Sequence, residues 1–338
     1  MNLQLLNRYK VALRYIFREE KVEAFPLELV VELTNRCNMS CTICPRDKME
    51  RPIGDMDFSL FKKIVDELKG KTEMFDLCFA GESLLHKDVF EMIKYARQNN
   101  IKTFVQTNAM VLDRIMSEKL INSGLDLLVL SIDAVSEQVY NLIRRGGDFY
   151  KVVKNAEEFL KIKNLNGKKP YTIVQMVYTE YNKNEVEDFY HYWIKKGADA
   201  VRIKPFNSRA GLVSFGEIKK QELPCIRLWR GMAVFWDGKV VPCCMDYKGK
   251  YVLGDVSKEK ILDIWNSEKM VYLRKLHTSG EVKNNELCKN CEGYKAGIVK
   301  TLGSVFFDAV TIRKLAPVWN KNGSRRLQPA MTFEIKKR

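Results

Sequence analysis

From Leu27 to about Phe206 the apolar positions switch between two periods. Short runs rich in β-branched and aromatic residues predict strands at Leu29–Leu33, Phe75–Ala80, Thr103–Thr107, Leu127–Ile132, Thr172–Tyr178 and Ala200–Pro205. Between them, apolar residues recur every third or fourth position. These stretches, Ser59–Lys69, Val89–Asn99, Asp113–Ser123, Ser136–Arg144 with Tyr150–Lys163, and Asn184–Lys196, predict helices. Strands alternating with helices imply βαβ units, a parallel sheet and right-handed crossovers. Six repeats are too few to close an eight-stranded barrel, so the expected fold class is α/β, with a partial (β/α)6 TIM-like barrel over residues 26–206.

The flanks read differently. Within residues 1–25, Leu3, Leu6, Val11, Leu13, Tyr15, Ile16 and Phe17 lie among Arg and Lys at helical spacing, which predicts an amphipathic helix packed across the outside of the barrel. A basic amphipathic helix can also make peripheral contact with a membrane. After Phe206 the rhythm stops, and 207–224 read as a linker. Met232–Trp236 and Val240–Pro242 flank Asp237-Gly238-Lys239, a hairpin signal, and Ile261–Trp265 and Met270–His277 follow at helical spacing. Residues 207–300 are thus expected to form a small hairpin-plus-helix domain. Residues 301–338, with Arg325-Arg326 and Lys336-Lys337-Arg338, are expected to be a basic tail.

Composition adds a compartment and a partner class. The 338 residues are 46% hydrophobic, enough for a sizeable core, and the longest apolar runs fall well short of the roughly 20 residues that span a bilayer. Nothing at the amino terminus resembles a cleavable signal, so a cytoplasmic location is expected. Nine cysteines, seven of them grouped as CxxxCxxC, CC or CxxC, then point to metal or redox chemistry rather than disulfides. The excess of 57 Lys+Arg over 42 Asp+Glu, net +15, either favours an anionic partner or reflects a solvated lysine-rich face.

In parallel α/β folds the working residues gather where strands end. That rule selects Cys37, Cys41 and Cys44 after the first strand, Gly81 and Glu82 after the second and Asn108 after the third. It also selects Ser131 and Asp133 after the fourth, with Tyr178 and Lys204 at the fifth and sixth. Lys204 and Arg202 alternate with Ile203 and so share a face, either to bind an anion or as outward strand-edge charges. Tyr178, Arg202 and Lys204 are candidate substrate-handling groups. No catalytic base is assignable among them.

Thiolates at CxxxCxxC spacing suit an iron–sulfur cluster with one iron left open, since no fourth cysteine is nearby in the chain. Zinc is the alternative, although only His86, His191 and His277 could add nitrogen ligands. A zinc-containing basic protein that binds nucleic acid is the corresponding reading from another functional class.

The segment from Val31 to Pro45, with Cys37-Asn38-Met39-Ser40-Cys41-Thr42-Ile43-Cys44 at its centre, resembles the cluster loop of the radical S-adenosylmethionine (SAM) enzymes. The resemblance implies a [4Fe–4S] cluster on the three cysteines, whose open iron chelates SAM. It also implies reductive cleavage of SAM to a 5′-deoxyadenosyl radical that abstracts hydrogen from a substrate, and an electron donor such as flavodoxin or ferredoxin. Ala80-Gly81-Glu82 resembles the motif that receives the SAM ammonium, and Thr107-Asn108 and Ser131-Ile132-Asp133 resemble the strand-end motifs. Ile143-Arg144 followed by Tyr150-Lys151-Val152-Val153 resembles the segment whose arginine pairs with the SAM carboxylate. Ile43 stands where relatives often place an aromatic against the adenine, and Ser83 where many have Pro.

Further along, Cys225, Gly238-x4-Cys243 and Cys288-x-x-Cys291 resemble the auxiliary-cluster domains termed SPASM or, when shortened, Twitch. Four ligands suffice for one closed auxiliary [4Fe–4S] cluster, and no cysteine follows Cys291. Cys244 could replace Cys243, but the Gly-x4-Cys spacing favours Cys243. The single-cluster layout implies oxidation of a small, sugar- or aminocyclitol-like substrate, as in the Twitch-type dehydrogenase acting on 2-deoxy-scyllo-inosamine. Crosslinking or epimerisation of a ribosomal peptide is the alternative within the family.

Overall fold

The computed structural model describes residues 2–167, 169–206, 223–289 and 291, with a few positions between 303 and 314. Most of the expected linker 207–224 and of the expected basic tail therefore lies outside the described residues. The first part runs α1 (Leu3–Ile16), β1 (Glu28–Val31), α2 (Phe58–Leu68), β2 (Met74–Asp76), α3 (Val89–Gln98), β3 (Lys102–Thr107) and α4 (Arg114–Asn122). It continues with β4 (Leu127–Ser131), α5 (Glu137–Ile143), α6 (Phe149–Leu165), β5 (Tyr171–Tyr178), α7 (Val186–Lys195) and β6 (Ala200–Pro205). Each expected strand and helix of the barrel is present.

Helix starts follow from capping chemistry: the side chains of Asp57, Asp113, Ser136 and Asp148 each accept a backbone N–H of the first turn. The strands bury both faces, and every residue of β4 is buried, the signature of a helix-covered parallel sheet. On the outer face Val105, Leu128, Leu130, Val174 and Val201 pack with Phe159, Leu160 and Trp193 of the helices. The inner face carries Met74, Phe104, Leu127, Val129, Ile173 and Ala200.

The remaining elements are α8 (Arg227–Arg230), β7 (Gly231–Val234), β8 (Lys239–Val241), β9 (Gly254–Asp255), α9 (Ile261–Trp265), α10 (Glu268–Thr278) and α11 (Glu286–Lys289). The expected hairpin forms as β7–β8, but it does not stand alone. β7 pairs in parallel with β1, from Glu28↔Gly231 to Val31↔Val234, giving one sheet in the order β6-β5-β4-β3-β2-β1-β7-β8-β9. Without β7, one side of β1 would be an open edge with unpaired backbone groups.

The amphipathic helix forms as α1. It packs on the outside of the barrel at its amino end: Gln4 Nε2 donates to the carbonyls of Thr72 (2.7 Å) and Asn100 (2.8 Å), which precede β2 and β3. Val310 packs against the inner cluster and Lys314 Nζ lies 4.4 Å from the Tyr171 ring centroid, so part of 301–338 meets the same end.

Candidate active site

The chain after β1 is a long loop fixed from several sides. Asn35 bonds the backbone of Pro52 and Gly54, while Ser40 N and Thr42 N donate to the carbonyls of Arg145 and Ile143 at the end of α5 and just past it. This sets Cys37, Cys41 and Cys44, all half-buried, at the carboxyl edge of the sheet. Each sulfur faces one polar partner from a different element. Asn108 Nδ2 lies 3.9 Å from Cys37 Sγ, Arg144 Nη1 lies 3.7 Å from Cys41 Sγ, and Tyr247 Oη lies 3.9 Å from Cys44 Sγ. Burial pushes the Cys37 and Cys41 thiols up, with Arg144 opposing the rise at Cys41. A metal centre that takes the protons' place would find donors already aimed at the sulfurs.

Gly81 lets the loop after β2 approach this segment. A Cβ there would lie 2.4 Å from the Thr34 carbonyl oxygen and 2.5 Å from that of Arg36, both backbone atoms, so no other residue fits without moving the cysteine loop. Glu82 is buried beside it: Oε2 accepts from Asn108 N (2.8 Å) and Oε1 from Leu84 N (3.2 Å). Burial raises its carboxyl above the usual range, partly offset by those two amides.

Asp133 is fully buried with φ +70°. Its Oδ2 accepts from Arg144 Nε (2.6 Å) and Nη2 (2.5 Å), and its Oδ1 from Val177 N (2.6 Å). Burial alone would lower the Arg144 guanidinium, but Asp133 and Cys41 hold it above its ordinary value. The pair thus fixes a positive charge beside the second cysteine. Glu82, Asn108, Asp133 and Arg144 are brought together around the cysteine loop, and Ile43 on that loop is half-buried.

Below this rim the inner face turns polar. Gln106 Nε2 donates to Ser131 Oγ (2.8 Å), and Arg202 Nη1 donates to Gln175 Oε1 (3.4 Å) across the Gln175↔Arg202 register. Arg202 and Lys204 alternate in phase with inward Ala200, so they face the lumen. Tyr178 is in phase with Val174 and Met176 on the helix-covered face, apart from them. Cys78 packs on the inner cluster. The sequence reasoning passed over Gln106 and Gln175, although polar residues in otherwise apolar strands are a visible signal.

At the opposite end of the β1–β7 pair, Cys225, Cys243, Cys288 and Cys291 line one cavity with Arg227, Leu228, Pro242, Met245, His277 and Leu287. The placement follows from topology. Cys225 precedes α8 and β7, and antiparallel β8 carries the chain back to that same end before Cys243. Cys244 instead lines a neighbouring cavity, and its sulfur lies 3.1 Å from Arg227 Nη1; Cys243 borders both spaces. Burial pushes the Cys225 thiol up to about 11 and raises those of Cys243 and Cys288. His277, drawn down to about 4 by burial, is neutral, and its Nδ1 accepts from Cys225 N.

No cysteine is in a disulfide. Among the described residues, no three His, Cys, Asp or Glu side chains gather closely enough for a single metal ion. Instead, four thiols surround one space and three ring another with sulfur-directed donors, an all-thiol donor set that fits iron–sulfur clusters. From Cys243-Cys244 the chain returns toward the first set, where Tyr247 Oη donates to the Ala80 carbonyl (3.2 Å) and its ring stacks on Phe79.

Known proteins share both features. Residues 31–192 match the family model of the radical SAM superfamily, and residues 225–292 match that of the SPASM iron–sulfur cluster-binding domain. A tungsten-containing aldehyde ferredoxin oxidoreductase cofactor-modifying protein of Pyrococcus furiosus is 25% identical over 73% of this chain and 82% of its own length. The SAM-dependent 2-deoxy-scyllo-inosamine dehydrogenase of Niallia circulans is 24% identical over 77% and 90%. Among solved structures, Streptococcus suis SuiB bound to its precursor peptide SuiA superposes with a TM-score of 0.66 at 16% identity, covering 85% of this chain and 75% of that one. The chain belongs to the radical SAM superfamily, as an enzyme of SAM and [4Fe–4S] clusters with a SPASM domain beyond its partial barrel.

Proposed function

We propose that this enzyme oxidises a small polar substrate held in the barrel lumen, with Cys37, Cys41 and Cys44 holding the SAM-binding cluster and Cys225, Cys243, Cys288 and Cys291 holding one auxiliary cluster. The observation that carries the reading is the single four-thiol cavity at one end of the β1–β7 pair, with a lumen lined by Gln106, Ser131, Gln175 and Arg202 on the adjoining strands. The 2-deoxy-scyllo-inosamine dehydrogenase, similar over most of both chains, supports a hydroxyl- or amine-bearing ring as substrate.

Bound at these residues, the first cluster with SAM would supply hydrogen-atom abstraction, and an auxiliary cluster on the four-thiol set would supply an acceptor for the second electron. The residues do the positioning. Glu82 offers a buried carboxylate to the SAM ammonium, and Arg144, held by Asp133, offers the charge that pairs with the SAM carboxylate. Asn108 beside the cysteine loop and Ile43 on it would cover the nucleoside. Gln106, Ser131 and Gln175 present hydroxyl and amide groups to the substrate, and Arg202 and Lys204 suit an anionic group on it. The O–H or N–H proton next to the oxidised carbon leaves to a base or to water, closing a two-electron oxidation.

The likeness to SuiB bound to its precursor peptide favours a second reading, modification of a peptide. Anaerobic reconstitution followed by iron counting and a 5′-deoxyadenosine assay separates them. Two clusters predict about eight irons per chain. Deuterium should pass into 5′-deoxyadenosine from a ring-deuterated aminocyclitol, with formation of its ketone. Transfer only from a deuterated peptide would replace the dehydrogenase reading, and bound zinc without SAM cleavage would refute both.

A further inference from the structure

A surface helix needs one apolar face to sit on its domain. α1 has two. Val11, Ala12 and Tyr15 are buried, and Asn7 and Gln4 bond backbone carbonyls of the barrel, so the helix is firmly seated by that side. The opposite arc recurs about every fourth residue as Leu5, Tyr9, Leu13 and Ile16 with Phe17, which are 38%, 52%, 52%, 46% and 69% exposed; Leu3, at 60%, extends it. Single exposed apolar residues are ordinary, but a continuous stripe on a seated helix marks a contact surface.

The charges around the stripe indicate what it contacts. Lys10, Arg18 and Lys21 are exposed beside it, whereas Arg14 is engaged by Glu19 and Glu23. The chain as a whole carries net +15. Its last residues, 315–338, contain six Lys and Arg against the single Glu334. They follow Lys314, which lies over Tyr171 at the barrel end that α1 occupies. A second copy using the same face would set like charges opposite each other. An anionic surface meets both requirements, and the aromatic rings of Tyr9 and Phe17 suit the boundary between headgroups and acyl chains.

We infer that α1 lies flat on a bilayer containing anionic phospholipid, its outer stripe entering the headgroup boundary while Lys10, Arg18 and Lys21 meet the lipid charge. No described helix is long and apolar enough to cross a membrane, so the attachment is peripheral. It places the amino end of the barrel against the lipid and leaves the carboxyl edge with Cys37, Cys41 and Cys44 facing away.

The test is co-sedimentation of the reconstituted full chain with phosphatidylcholine vesicles that contain or lack phosphatidylglycerol, at low and high salt. Wild type should pellet with phosphatidylglycerol vesicles, and binding should weaken with salt. Leu13→Glu, with melting and iron content unchanged, should weaken binding by about tenfold or more, and the double variant Lys10→Glu with Arg18→Glu should reduce it only on the anionic vesicles. The inference is overturned by absence of vesicle binding, or by binding that Leu13→Glu leaves intact. It is also overturned if wild type is a dimer in sedimentation velocity that Leu13→Glu dissociates.

Discussion

Asp133→Asn tests the electrostatics of the site with little change of shape. Its φ of +70° lies in the left-handed region, which Asn tolerates as well as Asp, so the exchange isolates the charge. The carboxylate accepts three hydrogen bonds, two from Arg144 and one from Val177 N. An amide offers one oxygen to those donors and turns its NH2 toward the rest, leaving a buried guanidinium short of a counter-charge. Removing one partner of a buried pair costs about 3–5 kcal/mol. Taking the lower end, about 3 kcal/mol, and about 2–4 °C per kcal/mol for a domain of this size, the cluster-free protein should melt about 6–12 °C lower. Calorimetry of the apo-protein measures this, and titration calorimetry on the reconstituted enzyme should show weaker SAM binding because Arg144 is no longer held. The double variant Asp133→Asn with Arg144→Met should recover part of the loss, since it buries no uncompensated charge. Melting within about 1 °C of wild type, or a double variant whose losses simply add, would refute the argument.

Glu82→Gln keeps an acceptor for Asn108 N while discarding a desolvated charge, so it should leave the ligand-free protein as stable or more so and weaken SAM binding about tenfold or more. The sign with pH follows from its raised carboxyl: folding takes up a proton, so the stabilisation Glu82 gives at low pH is lost as pH rises through the raised value. The melting difference between the Glu82→Gln variant and wild-type protein should therefore widen in favour of the variant from pH 5 to pH 8, where a constant difference would contradict the assignment. Cys243→Ser should remove about half of the reconstituted iron, whereas Cys244→Ser should not; equal losses would undo the separation of the two cavities. Tyr247→Phe keeps the ring stacked on Phe79 and removes the hydroxyl, so it should cost only about 0.5–1.5 kcal/mol. The same variant should shift the midpoint potential of the first cluster in an EPR titration, because hydrogen bonds near the sulfurs set it. An unmoved midpoint would confine Tyr247 to packing.

What could be read in advance depended on how local its cause is. The barrel strands and helices were legible because their periods and caps are written within each segment, and the cysteine triplet because its ligands are neighbours in sequence. The inward aim of Arg202 and Lys204 was half legible: alternation placed them on one face, but only pairing with β5 says which face that is. β2 ends at Asp76, not near Ala80. Beyond it Phe79 turns to stack with Tyr247, a partner 168 positions away, and Gly81 closes on the cysteine loop. The polar partner of Cys44 was illegible for the same reason, since nothing around Tyr247 marks it as a neighbour of Ala80.

The pairing of β7 with β1 is what joins the two cysteine sets into one machine. β1 delivers the triplet at its carboxyl end, and β7, running alongside, starts from the tetrad at the other. Residues just past the carboxyl ends of β1 and β7 hold the strands in place. Glu32 is buried and accepts two bonds from Arg51, at 2.8 and 2.7 Å. The Arg51 guanidinium lies 3.6 Å from the Phe235 ring centroid, while its Nε donates to the Tyr247 carbonyl. A buried cation of this kind is stable only with its carboxylate and acceptors all in place. Arg51 follows the cysteine triplet, Phe235 follows β7, and Tyr247 follows Cys243-Cys244, so all three segments must be folded together before the charge is satisfied. Order around Cys243-Cys244 is therefore a condition for order in the loop of the cysteine triplet, which gives a physical reason why the SPASM domain is joined to the barrel through a shared strand pair.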